Sequence, residues 1–212
     1  MRRLSIFVVI GLLIATVSTI AMGFPACAPL HIDSHQSLNE GQGTPDDKPI
    51  QTRDVIVTRV FPVSVDRVWR AWSQSQYVMR WWGPKGFTAP LARMDFREGG
   101  TSLVCMRAPK EFGGQDMYTT WSYRKIVPHK QIEFILNFTD KEGTKLDPAK
   151  IGLPAGVPQD VRHVITFKTT SNNRTEMTVT EYGYTSNQAH DLSKAGLEEC
   201  LDKMATALEE KK

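Results

Sequence analysis

Along most of this chain, hydrophobic positions follow one of two periods, and the switch between them marks the elements. Val55-Ile56-Val57-Thr58-Arg59-Val60-Phe61 is a β-branched run that reads as a strand closed by Pro62. The period then changes. Val65, Val68, Trp69 and Trp72 recur at helical spacing behind Ser64, a good N-cap. A second short helical turn carries Tyr77, Met79, Trp81 and Trp82 and stops at Gly83-Pro84. Rings of roughly 150–250 Å² each demand a surface to dock on, so this tryptophan-dense stretch must pack against the rest of the domain.

From Phe87 onward the pattern returns to strands and turns. Strands are expected over Phe87–Phe96, Thr101–Arg107, Met117–Ile126, Gln131–Phe138, Val161–Lys168 and Thr175–Tyr182. In Gln131–Phe138, the residues Ile132, Phe134, Leu136 and Phe138 form one apolar face. His163, Ile165 and Phe167 share a face in the next strand. Asp140 to Asp160 is a loop rich in Gly and Pro, and a loop that long in a compact domain reads as a lid or mouth element. Residues 187–210 then form a long amphipathic helix, capped by Ser186 or Asn187. Its apolar stripe is Leu192, Ala195, Leu197, Leu201, Met204, Ala205 and Leu208, and Glu198, Glu199, Asp202 and Lys203 fall on its wet face. Such a helix buries its stripe on the concave face of the preceding sheet. The expected fold is therefore α+β, a helix-grip: a curved antiparallel sheet of about six to seven strands around a long C-terminal helix, with two short helices after strand 1. A bent sheet and a straight rod do not pack flush, so a cavity is expected between them.

In front of this domain, which begins at residue 53, the chain changes character. Residues 1–23 carry Arg2-Arg3, then an apolar run from Ile6 to Ile20, then Ala21-Met22-Gly23 with small residues at the −3 and −1 positions of a signal-peptidase cut. Three readings stay open: a signal peptide cut before Phe24, a lipoprotein with lipid on Cys27, and a retained membrane anchor. All three export the domain, to a periplasmic, membrane-anchored or secreted place, and they give the membrane no other role than through this leader or its lipid. Residues 24–52 read as a disordered linker, polar and rich in Gly, Pro and Asp. Overall hydrophobic content of 41% suits one core, and the formal charge of +3 is too mild and scattered for a nucleic-acid partner.

No catalytic signature assembles: G-x-S-x-G, H-E-x-x-H, the Walker loop and C-x-x-C are all missing. His31 and His35 are four apart but lack a third ligand, so neither a metal nor a cofactor is expected. Cys105 and Cys200 read as buried free thiols or as a disulfide formed in an oxidising compartment. The inward positions that would line the cavity are Cys105, Arg107, Trp121, Phe134, Leu136, His163, Ile165, Met177, Glu181, Leu197 and Leu201. Within that mostly apolar set, Arg107 is a candidate partner for a ligand carboxylate, Glu181 for a polar head or an arginine, and His163 for acid–base chemistry. Each has a plainer alternative: a strand end reaching solvent, a surface charge, and a hydrogen-bonded core histidine.

F-P-V-S-V-D-R-V-W-R-A-W from Phe61 and R-W-W-G-P-K-G-F from Arg80 resemble the opening of the family named after the activator of the heat-shock protein 90 ATPase, within the START-like, Bet v 1-like superfamily. The resemblance continues through Asp95–Gly100, Trp121–Pro128 and Gly196–Met204, and departs where Gly196-Leu197 stands for the Gly-Trp frequent in that family. It implies a cavity that takes a small hydrophobic molecule, and the leading expectation is an exported binding protein, not an enzyme. Two further roles are implied: an enzyme of the cyclase or hydrolase kind acting on an aromatic or lipid-like substrate, and a co-chaperone stimulating the ATPase. The leader argues against the last, because that chaperone works in the cytosol.

Overall fold

The computed structural model describes residues 51–210. The leader, Cys27 and the linker up to Ile50 lie outside the described residues. Seven strands form one antiparallel sheet: β1 (Arg53–Phe61), β2 (Thr88–Arg93), β3 (Thr101–Arg107), β4 (Asp116–Val127), β5 (Gln131–Thr139), β6 (Val161–Thr170) and β7 (Arg174–Tyr184). Their spatial order is β1-β7-β6-β5-β4-β3-β2, so only β1 breaks the meander, pairing with the last strand across the whole chain. Helices α1 (Val65–Ser73) and α2 (Ser75–Trp81) follow β1, and α3 (Asn187–Glu209) closes the chain.

The helices start and stop where the local chemistry directs. Ser64 holds the cap position of α1, but its carbonyl rather than its hydroxyl does the work, accepting from the amides of Arg67 and Val68. At α3, Ser186 Oγ accepts from Ala189 N at 3.1 Å and donates to Ala155 O at 2.6 Å, so one hydroxyl caps the helix and pins the 140–160 loop to it. The buried stripe of α3 runs through Ala189, Leu197, Cys200, Leu201, Met204 and Leu208, whereas Ala195 is exposed. Helix α3 packs against β1, β7 and α2, and α2 lies over β2, so the two halves of the inner sheet face are covered by different helices.

The W-W-G-P-K-G turn clamps α2 to α3. Lys203 Nζ donates to Gly83 O and Phe87 O, both at 2.8 Å, and Lys85 N donates to Glu199 at 3.0 Å. Lys203, expected on the wet face, is thus half-buried, and desolvation lowers its pKa. Gly83 has φ +99°, and a Cβ there would sit 3.0 Å from Phe87 Cβ and 3.3 Å from Met106 Cβ, so the turn needs glycine twice over.

Candidate functional site

Pairing register decides which side chains meet inside the grip. Trp121 and Tyr123 of β4 lie opposite Leu136 and Phe134 of β5, which in turn face Val161 and His163 of β6. His163 is opposite Glu181 of β7, and Ile165 is opposite Val179. Trp121, Phe134, Leu136, His163, Ile165, Met177, Glu181, Leu197 and Leu201 are all buried, and all but His163 and Glu181 belong to a single hydrophobic cluster. Phe134 is the hinge of this wall, stacked on Trp121 at 5.0 Å and on His163 at 4.8 Å.

Two expectations fail here. Ser102, not Leu103, is the register partner of Trp121, so Ser102, Val104 and Met106 face the helices while Leu103, Cys105 and Arg107 face the other side of the sheet. Cys105 lies opposite Tyr118 on that outer side, and Arg107 is held by Asp116 through Nε at 2.6 Å and Nη2 at 2.9 Å. Neither lines the grip. Strand β3 is covered on both faces from Ser102 to Cys105, so alternation carries no sign of which side is inward. Cys105 and Cys200 are both free thiols, one outside the sheet and one on α3. Burial pushes the Cys200 thiol up to about 12 and raises that of Cys105.

The expected hollow is also partly occupied. Where α1, α2 and α3 meet the sheet, Trp72, Trp81, Trp121, Phe134, Met177, Leu201 and Met204 are fully buried side chains that fill the space. Two grooves of about 420 Å³ each lie outside this core, one beside Arg67, Arg70, Tyr77 and Arg80, the other beside Lys145, Leu146 and Lys150.

Inside, polar groups gather at two places. The first is a closed network at the N-terminal end of α3. His163 Nε2 and Glu181 Oε1 are 3.2 Å apart, and His163 Nδ1 is 3.0 Å from Val161 O. Glu181 Oε2 accepts from Tyr184 Oη at 2.7 Å and from Ser193 Oγ at 2.6 Å, and those two hydroxyls are 2.7 Å apart. Burial by itself raises the Glu181 pKa, but the imidazole and the three hydrogen bonds overcome it and hold the carboxyl below its ordinary value. Burial and the adjacent carboxylate push the Tyr184 phenol far up. Tyr184 joins the network because of a bulge: the β1–β7 register shifts between Arg53 and Val55, with Gly183 at φ +96°.

The second place is open. Trp121 Nε1, Trp82 Nε1 and Thr119 Oγ1 are covered from solvent and have no hydrogen-bond partner among the described residues. Thr119 and Trp121 alternate on the inner face of β4, and the Trp82 ring stands edge-on to Trp121 at 4.7 Å. The neighbouring indoles differ: Trp72 Nε1 donates to Met177 Sδ at 3.1 Å and Trp81 Nε1 to Ala71 O at 2.8 Å. Around the open group, Trp82, Met106, Met117 and Phe138 are half-buried. Tyr184, Ser193, Thr119 and the two methionines were not singled out from the sequence, and only the Tyr182-Gly183-Tyr184 triplet held a signal, a glycine in a strand. Among the described residues, no group of three His, Cys, Asp or Glu side chains is placed to hold a metal.

Solved structures share this architecture. One from Chromobacterium violaceum is 23% identical, with TM-score 0.60, covering 74% of this chain and 98% of its own. A solution structure from Arthrobacter aurescens is 23% identical at TM-score 0.61, covering 76% and 89%. The AHSA1 protein from Silicibacter pomeroyi is 16% identical at TM-score 0.59, covering 74% and 97%. No curated protein matches. The family model of the Activator of Hsp90 ATPase homolog 1-like proteins matches residues 62–209. With the helix-grip fold and the W-W-G-P turn that locks α2 to α3, the chain belongs to the AHSA1-like family.

Proposed function

We propose that this chain is an exported binding domain that holds a small hydrophobic or amphipathic molecule against the inner face of β3, β4 and β5. The observation that carries the reading is the rim of half-buried apolar side chains at that end of the grip: Trp82, Met106, Met117 and Phe138. Met106 and Met117 are cross-strand partners, and flexible thioethers beside an aromatic floor adapt to apolar ligands of varied shape. The α3-covered half, filled by its own rings, supplies the rigid back wall. Native mass spectrometry of the purified protein, with organic extraction, tests this. A co-purified apolar molecule is expected; no extractable ligand together with no uptake of a hydrophobic dye rejects the reading. Export rests on the leader alone, and the intact mass of the mature protein checks it.

An enzymatic role is the second reading, favoured by the 3.2 Å contact between His163 and Glu181. Against it, each polar atom of that network already has a protein partner, so none is left to meet a substrate. Stimulation of a chaperone ATPase, suggested by the family description, conflicts with an export leader and is tested by ATPase assays with and without the domain.

A further inference from the structure

Within the binding role proposed above, on which this inference rests, we infer that the ligand is a neutral molecule carrying a carbonyl-type hydrogen-bond acceptor on an apolar body, received by Trp82 Nε1, Trp121 Nε1 and Thr119 Oγ1. An indole nitrogen only donates, so two buried indoles without partners call for an acceptor rather than more hydrocarbon. Buried donors are mostly satisfied in native interiors, as at Trp72 and Trp81. Of the four buried side-chain polar atoms without a partner among the described residues, three gather here, the fourth being Thr139 Oγ1 on the outer face opposite Tyr118. The Trp82 ring is edge-on to both Trp121 and Trp81, but a ring face is a weak acceptor and does not replace a carbonyl or hydroxyl partner for a buried indole N–H. Trp121 Nε1 is fenced further by Phe134, whose ring is stacked on its face.

Charge decides between a carbonyl and a carboxylate. The inner-face sheet neighbours of Thr119 and Trp121 are Ser102, Val104, Met106, Met117, Leu136 and Phe138, with no cation among them, and the Ser102 hydroxyl is already engaged by Asp95 N and Tyr123 Oη. Lys203 of α3, reaching over to the nearby turn, spends its protons on the carbonyls of Gly83 and Phe87. A carboxylate buried here would lack a counter-charge, whereas a ketone, ester or amide oxygen accepts two hydrogen bonds without one.

Matched probes test this on the 15N-labelled full chain: 9-fluorenone with fluorene, cyclododecanone with cyclododecane, and fluorene-9-carboxylate. Ketone binding is expected to be about tenfold tighter than that of its hydrocarbon, because the carbonyl oxygen accepts two net hydrogen bonds at a time and the three donors share its two lone pairs. Only the ketones should move the indole N–H signals of Trp82 and Trp121 downfield, leaving those of Trp72 and Trp81 in place. In Thr119→Val, which keeps the side-chain shape, the ketone preference should shrink about threefold. Equal binding of ketone and hydrocarbon overturns the acceptor inference and leaves the apolar pocket standing. Tighter binding of the carboxylate than of fluorenone overturns the neutral class. If no probe binds and no indole signal moves, both the inference and the binding role fall.

Discussion

The inner face of one sheet carries two buried polar groups that behave in opposite ways. Around Glu181, four side chains from β6, β7 and α3 use up one another's hydrogen bonds, and the carboxylate stays charged in a sealed site. Around Trp121, three donors from β4 and the end of α2 use up nothing. Both sites cost the fold desolvation, but only the first recovers it internally. A complete network is a structural tie between helix and sheet. An incomplete one, beside half-buried methionines, marks a place where something from outside completes it. Burial alone does not separate the two, since Trp121 is as buried as any residue of the closed network.

Mutations can break this contrast. Glu181→Ala strands an imidazole and two hydroxyls in the core, and should cost about 3 kcal/mol in chemical denaturation. A loss under 1 kcal/mol would mean that the network is not the tie described. Tyr184→Phe removes one member and should cost about 1–2 kcal/mol while the fold persists by circular dichroism. The pH profile sharpens the point. Because the folded-state pKa of Glu181 is depressed, its contribution is complete above the ordinary carboxylate value and drains away as pH falls below that value and through the lowered one. Unfolding of Glu181→Gln measured from pH 6 down to 2 should lack that component, and an unchanged slope would contradict the assignment. Thr119→Val is the smallest and differs in sign: deleting an unpartnered hydroxyl should leave the ligand-free protein unchanged or up to about 1 kcal/mol more stable. Destabilisation by more than that would show the hydroxyl already satisfied.

The thiols give a separate check on which side of the sheet is inward. Neither Cys105 nor Cys200 should react with iodoacetamide in the native state, as peptide mapping would read, and non-reducing electrophoresis should show no mobility shift that a reductant abolishes.

Much of the fold was legible because its signals are local. Pro62, Gly83-Pro84 and Ser186 punctuate the elements, and the alternation in Gln131–Phe138 named an inward face that the register confirms at Phe134 and Leu136. The candidate site was legible only in part. His163 and Glu181 were placed inward, yet their joining with Tyr184 and Ser193 depends on the Gly183 bulge and on where α3 comes to rest. Cys105 and Arg107 were misplaced because a strand covered on both faces has no polar phase to read.

By itself, then, the sequence determined the order and kind of the elements and the membership of the core, because side-chain period, turn chemistry and capping act between residues a few positions apart. Which donors meet partners, which aromatic rings fill the grip, and which lysine turns inward to hold a loop were decided only in the tertiary structure. Those outcomes depend on register between strands far apart in the chain and on the seating of one helix, and a hydrogen bond is made or missed over distances that no local pattern specifies.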